Sequence, residues 1–452
     1  MEQTLDEKIF LFEKKYNAFE WQDEQGTYIW DILRYRIYTH LLWDFTNRPE
    51  TKEPETLLAK VRRRKWLLSN AIKFRLDTRR YHNLFYCFSR FRNNDKLLID
   101  TLASDPLKLL EQETNLVLES NLLYPKSEYY RKDFYYGFPV ILNRKKNRKK
   151  ELFDFSNIVS LIEKEFGRCP FSKAQLNSFL SDFLCDQSYY KKLLKKHKIK
   201  RIFLVQNGLQ KGLIAAAKEL KIPVFEFQHG VVDPGHLAYS YPFPSDYPQV
   251  CFPDIVFTLS KWWFADFQMP KTKLANLGNS AFYNNITNTP KEKQNQFVMI
   301  ISADVFGNEL KTFLFEILKE PVSNDFEFFF KLHPNQYNEF KAYQDIFLAY
   351  PNVTVISDQM SIADLLKQCA SVFTIQSTAV YEALQNGRKA LIYKKSSYYR
   401  QQHIFRVPNV YVVDSVDAFF NALKQPPAES SSAIFFEDFN KKMFLNTINE
   451  VS

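Results

Sequence analysis

Glycine is scarce in this chain, 10 in 452 residues. Neither the G-x-G-x-x-G loop that cradles a dinucleotide nor the G-x-x-x-x-G-K-[ST] loop that cradles a triphosphate occurs, which makes nicotinamide cofactors and ATP poor guesses. Cysteine is equally thin. Cys87, Cys169, Cys185, Cys251 and Cys369 are odd in number and scattered, with no C-x-x-C pair and no His cluster at ligand spacing. Reduced, structural thiols and no metal site are therefore expected. No apolar run is long enough to span a bilayer, and the charged start MEQTLDEKIF is not signal-like, so a cytoplasmic chain is expected. Repeats and long low-complexity tracts are absent too.

What is abundant is core material. Hydrophobic residues make up 45% and aromatics 16%, with 43 Phe and 25 Tyr, which argues against extensive disorder. The length exceeds what one core usually serves, so two α/β domains with a cleft between them are expected. A net charge of +10 suits polyanions or an anionic membrane. Nucleic acid is discounted, because the basic runs lie away from the strand ends that suit phosphate and no recognition motif is present. The densest run, Lys60 to Arg80, interleaves its cations with Trp66, Leu67, Leu68, Ile72 and Phe74. It reads either as a basic amphipathic helix on an anionic membrane or as an ordinary solvated helix face.

Periodicity predicts one or two helices over Ile9 to Phe45, a buried strand at Lys96–Asp100 and another at Asn115–Leu118. The cationic stretch Asn143–Lys150 reads as an exposed loop or helix start. A βαβ unit follows, with strands at Arg201–Val205 and Val224–Phe227 around a helix at Gly208–Leu220. Short strands are expected at Asp254–Leu259 and Leu274–Leu277. The polar, Pro-containing stretch near Asn284–Gln296 reads as a linker. Strands at Phe297–Ser302, Phe326–Leu332, Val353–Ile356, Ser371–Ile375 and Lys389–Tyr393 then alternate with helices, which predicts a second doubly wound parallel sheet. The implied domains are 1–285, a linker 286–296, 297–430, and a C-terminal helix within 431–452 that packs across the junction.

Three motifs fall at carboxyl ends of expected strands, where open parallel sheets bind ligands. Gln228-His229-Gly230 follows the second strand of the βαβ unit, with Asp233 and His236 in the loop beyond. Lys331-Leu332-His333-Pro334 ends a strand of the second domain, where the Pro forces extended backbone and a cation or imidazole can meet phosphate oxygens. Gln376-Ser377-Thr378 leads into a helix carrying Glu382, with hydroxyls and free N–H groups suited to phosphate. Each has a bland reading as a turn or cap; together, in two domains, they outline facing half-sites for a nucleotide linked to a sugar. Asp233, Asp105 and Asp100 are the carboxylates near strand ends able to serve as base or to face the sugar, and Asp233 is favoured. Asp100 reads equally as a strand terminator and Asp304 as a turn residue.

I-P-V-F-E-F-Q-H-G, L-G-N-S at Leu277–Ser280, K-L-H-P and S-T-A-V-Y-E-A-L-Q-N-G-R-K-A resemble bacterial capsule and lipopolysaccharide glycosyltransferases of the GT-B fold, above all those using CMP-Kdo. The early W-D-I-L-R segment, Trp30 to Arg34, resembles their N-terminal helix. The resemblance implies two Rossmann-like domains and a nucleotide sugar held by Lys331, His333, Pro334, Gln376, Ser377, Thr378 and Glu382. Gln228, His229, Gly230 and Asn279 would face it from the first domain, with Asp233, His229 and Asp105 as the catalytic candidates. It further implies no metal and no cofactor beyond the nucleotide-sugar donor, since basic groups take the leaving phosphate's charge, and no D-x-D triplet contradicts this. The acceptor would be a growing, glycan or lipid-linked, surface polysaccharide, with peripheral membrane contact through Lys60–Arg80. A non-catalytic GT-B-like assembly partner and a nucleotide-sugar epimerase are the alternatives.

Overall fold

The computed structural model describes residues 4–45, 56–93, 95–241, 251–265, 267–287, 294–302, 307–395, 398–426, 428 and 434–451. Two helices open the chain, α1 (Leu5–Lys15), whose first turn is closed by a Thr4/Glu7 capping box, and α2 (Ile29–Phe45). The basic run forms α3 (Leu57–Leu76). The first sheet collects β1 (Asn83–Cys87), β4 (Asn115–Glu119), β5 (Tyr135–Tyr136), β6 (Arg201–Val205), β7 (Val224–Phe227), β8 (Ile255–Thr258) and β9 (Lys273–Asn276). Every pairing in it is parallel, and the order is β5-β4-β1-β6-β7-β8-β9. The helices of this half are α4 (Ser104–Leu109), α5 (Phe138–Asn147), α6 (Ser156–Phe166), α7 (Lys173–His197), α8 (Lys211–Glu219) and α9 (Ser280–Thr287).

The second sheet runs β12 (Val353–Ile356), β11 (Glu327–Lys331), β10 (Gln294–Ile301), β13 (Cys369–Thr374), β14 (Lys389–Tyr393), β15 (Val410–Val413), again all parallel. Its helices are α10 (Gly307–Leu318), α11 (Phe340–Phe347), α12 (Ile362–Gln368), α13 (Ala379–Gln385) and α14 (Val416–Lys424). In both sheets the chain winds outward from a central strand one way and then the other, so each has a switch point, between β1 and β6 and between β10 and β13. The two doubly wound α/β domains expected from the sequence, the GT-B architecture, are what the chain adopts.

Side chains alternate across the first sheet as a strand's period of two requires. Phe85, Phe203, Phe225 and Phe257 pack on one face, whereas Leu84, Ile202, Leu204 and Val224 pack on the other against α7 and α8. Both faces are therefore covered, as parallel strands demand. A separate core joins the domains. Phe12, Trp30 and Leu33 of the N-terminal helices share it with Tyr239 and Trp263 of the first domain, and with Val380, Tyr381 and Ile392 of the second. The chain then returns: Phe435 and Phe436 enter that junction core, and α15 (Lys441–Glu450) places Phe444 against Phe203 and Phe257 of the first sheet. Gly278 allows the return, since its φ is +72° and a Cβ there would lie 2.1 Å from the Asp438 carbonyl oxygen.

Three expectations are corrected. The Lys96–Asp100 strand does not join the parallel sheet; only Leu98–Ile99 (β3) is extended, paired antiparallel with β2 (Phe91–Arg92). The first sheet's central strand is instead β1, whose Asn and Tyr at a short N-L-F-Y-C run disguise it. The cationic stretch after Asn143 is the end of α5 rather than a loop, because Asp186 and Asp182 on α7 pair with Arg144 and Arg148 and draw it against that helix. The helix expected from Gly208 begins only at Lys211, after a 3₁₀ turn at Asn207–Leu209. Asp304 and residues 288–293 of the expected linker lie outside the described residues, while 284–287 end α9 and 294–296 open β10, so the elements reach into the stretch read as a linker.

Trp30, Asp31 and Arg34 of the W-D-I-L-R segment are all buried; Trp30 donates to Glu13, and Asp31 and Arg34 bind the loop that follows β7. Arg34 pairs with the buried Glu13 at 2.7 Å and donates to the carbonyls of Leu237 and Ser240. Asp31 accepts from Lys211 Nζ at 3.0 Å, from the Tyr241 hydroxyl at 3.0 Å and from the Cys251 amide at 2.9 Å. Removing one partner of such a pair leaves a buried charge uncompensated. Arg34→Met should lower unfolding stability by about 3–5 kcal/mol in urea denaturation, and adding Glu13→Gln should recover part of that loss.

Candidate functional site

The loop after β7 and the loop after β13 meet: a Cβ on Gly230 would sit 4.0 Å from the Thr378 Oγ1. Both loops leave carboxyl ends of strands, so the ligand-binding edges of the two sheets face one another here. An ion pair spans the same junction, Asp233 to Arg400 at 3.2 Å, with Arg400 carried on the 3₁₀ turn Tyr398–Ile404 between β14 and β15. Gln401 Nε2 donates to the Ser377 carbonyl at 3.3 Å, which ties that turn to the loop after β13.

On the first domain, Gln228 is a brace. Fully buried, it donates from Nε2 to the Gly230 carbonyl at 2.8 Å and accepts from the Leu259 amide at 3.0 Å. His229 is half-buried, and its carbonyl accepts from Arg90 Nη2 at 2.7 Å. Arg90 lies just past β1, at the switch point, where Ser89 is fixed by Glu119: its hydroxyl donates to that carboxyl at 2.6 Å, and the Asn121 amide donates at 2.8 Å. Burial raises Glu119 to about 7.

The protonation of His229 follows from its neighbours. Glu226, buried in β7, accepts from the Asn207 amide at 3.0 Å, from Asn207 Nδ2 at 2.8 Å and from the Tyr239 hydroxyl at 2.6 Å. Burial raises the Glu226 carboxyl; in its ionised form it only accepts, and the phenol's one proton is spent on it. The Tyr239 oxygen, 3.0 Å from His229 Nδ1, therefore accepts, so Nδ1 carries the ring's proton and Nε2 keeps its lone pair. Burial, with His236 and Arg90 adding to it, holds this imidazole well below 6.5, and burial with Arg400 lowers His236 to about 3. The arrangement is a neutral base with a fixed tautomer.

Asp233 receives the Gly235 amide on Oδ1 at 2.8 Å and Arg400 on Oδ2. Asp6 of α1 joins it: a Cβ on Gly235 would lie 2.5 Å from Asp6 Oδ2 and 3.0 Å from Asp233 Oδ1, so a glycine is needed for the two carboxyls to approach. Burial, with Asp233 contributing, raises Asp6. Asp105 and Asn279 serve a different corner. Asp105 accepts from the Ser280 amide at 3.1 Å at the start of α9, and Asn279 donates to the Thr101 carbonyl at 2.9 Å while its own amide reaches the Glu437 carbonyl. Asp100 caps the turn after β3 through the Leu102 and Ala103 amides.

On the second domain, Lys331 does not project freely as its place at a strand end suggests; it is buried and donates to the Tyr337 hydroxyl at 3.0 Å and to the Ser357 carbonyl. Burial lowers its ammonium to about 8. His333 caps the 3₁₀ turn that Pro334 opens, its Nδ1 accepting from the Asn335 amide at 3.2 Å. Ser377 accepts from the Ala379 amide, and Thr378 makes no capping bond, leaving its hydroxyl toward Gly230. Glu382 is buried, and desolvation alone raises its carboxyl to about 7. Among the described residues no group of three or more His, Cys, Asp or Glu could hold a metal ion.

Arg90, Tyr239, Glu226, Asp6 and Arg400 are the junction residues that motif reading passes over. Only Glu226 leaves a trace in the sequence, a lone carboxylate inside the apolar V-F-E-F strand. Tyr239→Phe should release the tautomer, and long-range ¹H–¹⁵N histidine spectra should move His229 from the Nδ1–H form toward the Nε2–H form. The depressed histidines also set a pH response. Below about 6.5 the unfolded chain protonates at His236 while the folded chain does not until about 3, so stability falls on acidification through that window. His236→Asn should flatten the fall in melting temperature between roughly pH 6.5 and 5, with no change above 7.

No protein-family model matches the sequence, and no curated protein matches it. Solved structures with a similar trace include the UDP-GlcNAc 2-epimerase of Methanocaldococcus jannaschii in complex with UDP-GlcNAc and UDP, at 12% identity over 82% of this chain and 99% of that one, TM-score 0.47. The UDP-GlcNAc 2-epimerase of Neisseria meningitidis bound to UDP-GlcNAc matches at 14% identity over 81% and 100%, TM-score 0.46. MurG of Acinetobacter baumannii matches at 11% identity over 76% and 91%, TM-score 0.43. The architecture of this chain is read from its own strand orders.

Proposed function

We propose that the chain is a glycosyltransferase that moves a sugar from a nucleotide donor to a growing surface glycan, with CMP-Kdo or a related CMP-sugar as donor. The observation that carries this reading is the meeting of two carboxyl strand edges at Gly230 and Thr378, with a neutral, tautomer-fixed imidazole on one side and hydroxyls on the other. The nucleotide lies against the second domain, its phosphate near Thr378, Ser377 and His333 and its ribose hydroxyls near the Glu382 carboxyl. Arg90 and Arg400 supply positive charge to the leaving phosphate from either side of the junction, which needs no metal ion.

His229 Nε2 takes the proton of the acceptor hydroxyl as that oxygen attacks the anomeric carbon. Tyr239 and Glu226 hold the ring for this task, as a third group orients the base in other proton-transfer sites. Asp233 acts through the loop, fixing it to Arg400 and thereby setting the spacing of the two half-sites. The acceptor is a lipid-linked or free glycan of capsule or lipopolysaccharide type, approached at the inner face of an anionic membrane.

A thermal-shift and calorimetric screen against CMP, CDP, UDP, GDP and dTDP without metal should find stabilisation by CMP above the others, since a ligand of the native state raises apparent stability. His229→Gln should keep that stabilisation and lower transfer by roughly 10²–10⁴-fold. A preference for UDP would overturn the choice of donor. Binding of none would overturn the transferase reading and favour a non-catalytic assembly partner.

A further inference from the structure

The helix α3 has two apolar faces. One, made by Leu67 and Phe74 with Trp66, packs on the edge of the first sheet: Trp66 meets Tyr136 with ring centroids 4.8 Å apart and Phe74 meets Tyr135 at 4.6 Å, both pairs tilted, and the Tyr136 amide donates to Asn70 Oδ1 at 2.9 Å. The other carries Leu57, Leu58, Val61, Leu68, Ile72 and Leu76, each between 45% and 79% exposed. At 3.6 residues per turn those six fall within an arc of about 100°, a stripe along a helix about 30 Å long in which Lys65 and Arg75 also lie. Isolated exposed leucines are ordinary; six in one stripe are not.

The charges around the stripe single out its occupant. The helix holds seven cations, Lys60, Arg62, Arg63, Arg64, Lys65, Lys73 and Arg75, and no carboxylate. By the same wheel Lys60 and Arg64 border one side of the stripe and Arg62 and Lys73 the other. The helix α5, which contacts α3, and its continuation add the exposed Lys145, Lys146, Lys149 and Lys150. An apolar strip bordered on both sides by cations matches an acyl–headgroup boundary bearing anionic lipid, with the strip in the acyl layer and the long cationic side chains reaching headgroup phosphates.

We infer that the outer face of α3 is a docking surface for an anionic lipid bilayer, on which the protein lies without crossing it. Among the described residues no helix is long and apolar enough to cross a membrane. Phe74 meets Tyr135 and Trp66 meets Tyr136, neighbours on β5 whose side chains leave opposite faces of the sheet, so α3 crosses the edge of the sheet at β5.

Docking is independent of transfer chemistry and is read without nucleotide. Full-length protein is sedimented with vesicles of phosphatidylethanolamine containing roughly one-third phosphatidylglycerol, and with phosphatidylcholine vesicles. Binding is expected to the anionic vesicles only, weakened by salt, and lowered about tenfold or more both by Arg62→Gln with Arg64→Gln and Lys73→Gln, and by Leu58→Ser with Val61→Ser, Leu68→Ser and Ile72→Ser. All seven substituted side chains are exposed, so an unchanged melting temperature confirms folded variants. Binding that either set leaves unchanged, or no binding to either vesicle, overturns the proposal. So does concentration-dependent self-association that the serine set abolishes, since the stripe would then be covered by a second copy.

Discussion

The junction depends on a desolvated charge network that fixes the loop after β7. Glu13 and Arg34 lie wholly inside the protein, and Asp31 and Lys211 nearly so. Burying charge costs several kcal/mol per ion unless each is paired and its remaining hydrogen-bonding positions are filled. Here the filling is done by the loop itself: the Leu237 and Ser240 carbonyls take Arg34 donors, while the Tyr241 hydroxyl and Cys251 amide take the Asp31 oxygens. The loop cannot leave without orphaning both pairs. Buried ion pairs often add little net stability over apolar side chains of similar volume; this network holds residues 228–241 of the loop, with Tyr239 between Glu226 and His229.

The same logic extends across the two domains. Each sheet has its own cores, yet Trp263, Tyr381, Phe435 and Phe436 belong to a core shared between them. Trp263 Nε1 donates to the Phe435 carbonyl at 2.7 Å, and Gln385 braces the returning chain by accepting from the Phe435 and Phe436 amides. The C-terminal segment thus ties the second domain to the first after the sheets are complete. Beside this apolar core, the Asp233–Arg400 pair is a second, polar tie between the two domains.

Much of this was legible in the sequence, and the gaps have physical causes. The βαβ unit at 201–227 and the strands of the second domain show because fully buried parallel strands are short apolar runs between helices, as at Arg201–Val205 and Lys389–Tyr393. β1 was hidden because Asn83 and Tyr86 interrupt its apolarity; Asn83 Nδ2 donates to Glu113 and Asn115, partners that no local window contains. The three motifs were visible as letters at strand ends. Their partners were not: Tyr239 and Arg400 come to the junction from 10 and more than 160 residues beyond His229, through contacts that only tertiary structure makes. Lys331 shows the converse, a cation whose position suggests a free charge and whose burial assigns it to Tyr337 and Ser357.

The basic helix was the most ambiguous segment to read, and its geometry explains why. An amphipathic helix announces itself by concentrating apolar residues on one side. In α3 the inner face, centred near Phe74, and the outer stripe, centred near Val61 and Ile72, lie on nearly opposite sides, so their periodic signals cancel and the sequence looks merely mixed. Lys60, Arg62, Arg64 and Lys73 fill the sectors between, and Lys65 and Arg75 lie within the outer stripe. A helix built only to cover β5 would need the inner face alone, with polar residues outside; leucines and isoleucine held in water there gain nothing from the fold. Their retention beside seven positive charges is a local inconsistency within the isolated molecule, and such inconsistencies mark surfaces whose complement lies outside it.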